Sequence, residues 1–278
     1  MDDHAPICVT CGTQFPPTAE PPSGCPICED ERQYVGHGGQ RWTSLAELRE
    51  GRRNLVREIA PNLSTVSTEP SFAIGQQAHL ICTSAGNLLW DCVSLLDHET
   101  VAAVERLGGV AAIAISHPHF YTAMVEWARA FDAPVFLHGD DRRWVMHRDP
   151  GVLHWGGQTL DPLPGSGLTL IRCGGHFPGS CVLHWPAGAG GRGVLLTGDT
   201  ISVVADRRWV SFMWSYPNQV PLDPAAVERI VTAIEPYPFD VLYAGWAGDV
   251  VDGDAQGAVR RSAARYVAHL RGEAPAAG

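Results

Sequence analysis

Apolar positions follow two periods along this chain. Over 43–59, Leu45, Leu48, Leu55, Val56 and Ile59 fall roughly on one helical face. Ser44 and Glu47 have capping-box spacing there, and Gly51 is a candidate break. From about residue 70 the pattern becomes short apolar runs divided by turn residues. Runs at 72–74, 79–82 and 87–92 read as strands of a meander, 110–116 as a buried strand and 134–138 as another strand. Helical spacing marks 99–107, stopped by Gly108 and Gly109, and 120–131. The second half repeats the style, with strands expected at 157–161, 168–172, 181–185, 193–197 and 240–244. A helix is expected at 224–234, capped by Asp223 with Pro224 in first position, and another at 255–270. Each half holds several strands and then helices, so the expected class is α/β: two mixed sheets packed together with helices outside.

Residues 1–35 break the pattern. They are rich in proline, poor in large apolar residues and carry four cysteines. A segment this small cannot fold on its own core. The expected organisation is a metal knuckle over 1–40, a linker helix over 41–69 and a main domain over 70–272.

Composition narrows the class. The 278 residues are 45% hydrophobic and 18% charged, a globular balance, and the formal charge is −10. That charge disfavours a dedicated nucleic-acid binder, which needs a basic face. All basic residues are arginine. No lysine is available for Schiff-base or lysine-nucleophile chemistry, and the arginine-only set with abundant Ala, Gly and Pro suggests a GC-rich bacterial genome. The acidic start lacks the pattern of a signal peptide, and no run reaches the roughly 18 apolar residues a membrane span needs. A cytoplasmic location is expected, with no membrane partner. Thiols there stay reduced, so the eight cysteines are read as ligands or core residues before disulfides.

Cys8-Val9-Thr10-Cys11 and Cys25-Pro26-Ile27-Cys28 form C-x2-C-x13-C-x2-C, a spacing that lets four thiolates close a tetrahedral zinc shell. Such a site has no open coordination position and is expected to be structural. The motif resembles a zinc ribbon or rubredoxin-like knuckle, in which iron can also sit.

A second constellation follows strand ends. His117-Pro118-His119 comes directly after the buried run at 110–116. His176 lies in Cys173-Gly174-Gly175-His176-Phe177-Pro178-Gly179-Ser180, and Asp199 lies in Leu196-Thr197-Gly198-Asp199-Thr200. Three histidines and a carboxylate at strand ends are a metal-site composition. With Asn87-Leu88-Leu89-Trp90-Asp91, these residues resemble the metallo-β-lactamase fold superfamily over roughly 70–270. The resemblance implies an αββα sandwich, with Asp91 near the metal site. It also implies one metal site at His117, His119 and His176, with Asp199 as the bridging carboxylate. The positions that build the superfamily's second site are here Tyr121, Thr122 and the Gly245-Trp246 pair, so a mononuclear centre is expected.

The expected function is a hydrolase. A single zinc, or iron, would activate water against an ester, thioester, lactone or amide of a small molecule. Asp199 would be fourth ligand or base, and Tyr121 either a hydrogen-bond donor to substrate or a space filler. The aromatic stretch 207–217, with Trp246, is read as core or as an apolar wall of the pocket. The alternatives are a mononuclear iron oxidoreductase, since persulfide dioxygenases of the superfamily use one iron, and a non-catalytic metal-binding or interaction protein.

Overall fold

Strands that are apolar on both faces need cover on both faces, and the architecture supplies it. The computed structural model describes residues 2–273. Seven strands form one sheet in chain order: Arg53–Ala60, Leu63–Glu69, Ala78–Thr83, Gly86–Trp90, Ala112–Ala114, Val135–His138 and Val152–Trp155. The first four pair antiparallel and the rest add in parallel. The second sheet runs Thr159–Leu160, Thr169–Arg172, Cys181–Trp185, Val194–Leu196, Val241–Tyr243 and Val250–Asp252, with one parallel pair at its centre.

Side-chain alternation divides the apolar residues among three layers. Ile81, Leu88 and Trp90 of the first sheet meet Leu170, Leu183 and Leu196 of the second between the sheets. Their neighbours Leu80 and Leu89 face outward, onto the helices His98–Arg106 and Met124–Phe131. Ile171, Val182 and Leu195 face the helices Pro224–Ile234 and Ala255–Leu270. The result is the expected αββα sandwich. Each fully buried large apolar side chain contributes on the order of 1.5–3 kcal/mol, so three such layers give the body a core that needs no metal. No described helix is long and apolar enough to cross a membrane.

The sequence reading needs correction in four places. The helix expected over 43–59 ends early. Ser44 caps Leu45–Gly51 by accepting the Glu47 N–H, and Arg52 is extended. Arg53–Ala60 is then an edge strand paired with Leu63–Glu69, so 41–69 is not a linker helix. Backbone pairing across the sheet overrides a helical spacing that Leu55, Val56 and Ile59 satisfy only loosely. Residues 72–74 form a turn, not a strand. The helix expected over 120–131 is a 3-10 turn at Pro118–Phe120 and a helix from Met124, parted by Thr122 at φ 39°. Finally, the edge strand Val152–Trp155 and short pairs such as Ser202–Val203 with Val210–Ser211 carry too few residues to show a period.

The N-terminal segment has little regular structure. Ile7–Cys8 pairs with Trp42–Thr43, and Pro26–Glu29 forms a single helical turn. Its cysteines, Phe15 and Ile27 join the same apolar cluster as Phe120, Tyr121 and Phe177. The segment is therefore packed against the body and does not stand apart from it.

Candidate metal centre

The cysteine motif closes as its spacing predicts. Cys8, Cys11, Cys25 and Cys28 converge, all buried. Cys8 Sγ lies 3.5 Å from Cys28 Sγ, and Cys11 Sγ lies 3.7 Å from Cys25 Sγ. A tetrahedral ion with Zn–S bonds of about 2.3 Å spaces its sulfurs by about 3.8 Å, whereas a disulfide would bring them to about 2.0 Å. Gly12, at φ 79°, completes the first knuckle by donating its N–H to the Cys8 carbonyl. Hydrogen bonds with Cys11 hold the Cys8 and Cys25 thiols down toward the thiolate, while the contact with Cys25 pushes Cys11 up. Gln40 Nε2 donates to Cys8 Sγ at 3.2 Å.

The second cluster is built from strand ends of both sheets. His117 and His119 follow Ala112–Ala114, His176 lies in the turn between Thr169–Arg172 and Cys181–Trp185, and Asp199 follows Val194–Leu196. Their donor atoms converge within 4.8 Å of one another, and the residues are 1–3% exposed. Asp199 Oδ2 lies 3.3 Å from His117 Nε2, 3.7 Å from His176 Nε2 and 3.9 Å from His119 Nδ1. His176 Nε2 and His119 Nδ1 are 3.3 Å apart. Nitrogen and oxygen donors at about 2.0–2.1 Å from a tetrahedral ion are spaced by about 3.3–3.4 Å. His117 Nε2 and Asp199 Oδ1 are buried with no hydrogen-bond partner, which is costly in a protein interior unless something polar completes them. The donor set and its spacing fit a single small cation.

Two of the imidazoles are aimed from behind. His176 Nδ1 lies 3.1 Å from the Met213 carbonyl, which can only accept, so Nδ1 carries the proton and Nε2 presents a lone pair. His117 Nδ1 lies 2.8 Å from Ser116 Oγ, and the Ser116 N–H donates to Asp91 Oδ1. Asp91, expected near the metal, thus acts through Ser116. Two glycines make these approaches possible. A Cβ on Gly198 would stand 2.4 Å from Ser116 Oγ, and one on Gly175 would stand 2.9 Å from Ile230 Cδ1; both have positive φ.

Burial pushes His119 down to about 4 and His176 well below the usual histidine range, so both are neutral near pH 7 and able to ligate. Burial opposes ionisation of Asp199, but the three histidines outweigh it and hold the carboxyl well below its usual range. At Asp91 burial outweighs the Ser116 hydrogen bond and the nearby His117, and raises the carboxyl to about 7.

The remaining candidates separate. Tyr121 is buried, and its phenol is pushed up by burial and by the charges of Asp141 and Cys181, not by the four donors. It is held as a neutral O–H. Thr122 is buried with its hydroxyl unpartnered. Trp246 donates its indole N–H to the Ile74 carbonyl, and Phe120 stands between it and His117, with ring centroids 5.9 and 4.5 Å away. Aromatic side chains thus occupy ground where a further ligand was expected to be missing. His138, at the end of Val135–His138, lies outside the cluster, and its ring nitrogens meet the Asp140 N–H and the Gly157 carbonyl. In the aromatic stretch Val210 and Phe212 are core, while Met213 and Tyr216 touch the site, Met213 through its carbonyl at His176 Nδ1 and Tyr216 by donating to the Asp199 carbonyl. Arg32, Ser116 and the Met213 carbonyl were not foreseen.

No family model matches the chain. A protein of Bacillus subtilis (strain 168) described as uncharacterized protein YmaE is 49% identical over 269 residues, which cover 96% of this chain and 97% of that one. The chain belongs to the YmaE family. Among solved structures, VMB-1 aligns with TM-score 0.58 at 11% identity, covering 78% of this chain and 98% of its own. The metallo-β-lactamase DIM-1 aligns with TM-score 0.57 at 11% identity over 77% and 97%. A metallo-β-lactamase from Pontibacter korlensis aligns with TM-score 0.56 at 15% identity over 77% and 99%. At such identities the likeness is one of fold. This YmaE-family chain has the metallo-β-lactamase fold, as its motifs led one to expect, with a four-cysteine cluster near its N-terminus and a His-His-His-Asp group in its body.

Proposed function

We propose that this YmaE-family protein is a hydrolase with one zinc ion at His117 Nε2, His119 Nδ1, His176 Nε2 and Asp199 Oδ2, and a structural zinc on the four cysteines. The observation that carries the reading is the convergence of those four donors at spacings of 3.3–3.9 Å, with His117 Nε2 left unpartnered. An ion of this kind, when bound, supplies Lewis-acid polarisation of a carbonyl and lowers the pKa of water toward neutrality. The chain's own residues do the rest. Ser116 and the Met213 carbonyl fix two imidazoles, and Asp199 Oδ1, buried and free, can hold a proton of an attacking water. Tyr121 keeps its proton throughout. The filled ground at Phe120 and Trp246 favours a mononuclear centre.

The substrate class proposed is a small ester, thioester, lactone or amide. The test is a panel of those four classes with zinc-loaded protein, run beside His119→Ala. Turnover of at least one class, lost in the variant, is expected. Metal found only on the cysteines of the wild-type protein would end the reading. A second reading has its own support: three histidines and one carboxylate also suit non-haem iron, and the near-complete burial of the donors favours a small substrate. Iron at the histidines with oxygen-dependent turnover would select a mononuclear iron oxidoreductase.

A further inference from the structure

The donors of the histidine cluster are buried under a segment that contributes none of them. Residues 12–33 span the ground between the two ligand-bearing walls. On one side the Gln14 N–H donates to the Thr122 carbonyl, three residues past His119, and Ser94 Oγ donates to the Gly12 carbonyl. On the other side the attachment is denser. Arg32 is 3% exposed. Its guanidinium donates to both carboxylate oxygens of Asp30 and, through Nη1, to the His176 carbonyl at 3.2 Å. Its Cζ lies 3.9 Å from the centroid of the Phe177 ring and 4.5 Å from that of Trp214. Ser215 Oγ donates to the Arg32 carbonyl, and Asn218 Nδ2 donates to the carbonyls of Glu31 and Gln33.

The donors are 1–3% exposed, so some cover must open before a substrate reaches them, and this segment has almost no regular structure of its own, although Phe15 and Ile27 also pack into the body's apolar cluster. The four cysteines lie within or next to the same stretch, and the turns that bring them together also set Gly12, Asp30 and Arg32 in place. We propose that the cysteine segment is a lid over the histidine cluster, bolted by Arg32 and kept in shape by the ion on the four cysteines. Substrate reaches the cluster when the lid lifts, and loss of the cysteine ion leaves the cluster open. The inference rests on the function proposed above for its meaning, but the lid is tested without it.

The test uses Tyr121, two residues past His119, 2% exposed and outside the donor group. Hydroxyl-radical footprinting of full-length protein, followed peptide by peptide in a mass spectrometer, reads access to that ring whether or not a metal is bound. In the wild-type protein Tyr121 should be oxidised far more slowly than the exposed Tyr34. Arg32→Ala should raise its rate at least about tenfold, since a charged hydrogen-bond set is lost. Cys25→Ser should do the same, and Asn218→Ala, which touches only the lid's backbone, should give a smaller rise. If Cys25→Ser does not fold, the Arg32 and Asn218 variants decide the matter. Protection unchanged in both of these, or wild-type Tyr121 as reactive as Tyr34, overturns the lid. Metal content of the wild-type protein, measured separately, bears on the proposed function alone.

Discussion

Two buried four-donor clusters sit in one chain and are built in opposite ways. The cysteines lie in two tight turns of a segment with almost no regular structure, so the cluster organises its surroundings. The histidines and Asp199 stand at strand ends of two sheets whose cores are complete without them, so the surroundings organise the cluster. In the first, a bound ion would stand in for a core that the segment is too short to have on its own. In the second, the fold holds donors at fixed spacing before any ion arrives, as sites for chemistry need.

That contrast can be broken by experiment. The largest expected effect is on turnover. His119→Ala should abolish one metal equivalent and reduce any hydrolysis by about a thousandfold or more, because the ion supplies several kcal/mol at the transition state. The cysteine metal and the circular dichroism of the body should be retained; loss of both metals together would mean that the clusters are not independently built. Next, Cys25→Ser should release the other ion and melt the N-terminal segment, at a cost of several kcal/mol. Hydrogen exchange should rise over residues 5–43 and stay low in the sheets. An unchanged melting curve and metal content would show that the knuckle needs no ion.

Acid should act on the body through a buried histidine that is not a ligand. Burial pushes His79 down to about 4 from 6.5. The unfolded chain takes up a proton below 6.5 and the folded one only near 4. This contribution is therefore complete above 6.5 and lost as pH falls through 4, amounting to about 3 kcal/mol. Urea titrations of His79→Gln between pH 7 and 4 should show a shallower fall than wild type. The smallest effect concerns aim. Asp91→Ala leaves the Ser116 N–H without its acceptor, and affinity for the histidine-site metal should weaken by about 10- to 100-fold. Competition with a calibrated chelator measures it, and unaltered affinity would show that Ser116 holds His117 unaided.

The sequence exposed both clusters for a physical reason. Metal ligation restricts residue type, and glycines mark the approaches, as at Gly175 and Gly198, where a Cβ would strike Ile230 or Ser116. The helix 224–234 and its Asp223 cap were equally legible, because capping and apolar stripe agree over eleven residues. The strand Arg53–Ala60 was not, since its identity depends on a partner strand and its own spacing half-fits a helix. Arg32 was invisible for the same kind of reason. Its hydrogen bond to the His176 carbonyl joins residues 144 apart in sequence, and nothing local to Asp30-Glu31-Arg32 marks it. The positions that depart from the superfamily pattern were visible as residues, but what they do was not: that Trp246 anchors on the Ile74 carbonyl is a fact of packing.

Anomalous scattering at the metal edge, from crystals of protein purified without added metal, decides whether each cluster holds a single ion. One peak among His117, His119, His176 and Asp199, and one among the four sulfurs, is the predicted result. Two peaks in the histidine cleft, or none there, would contradict it.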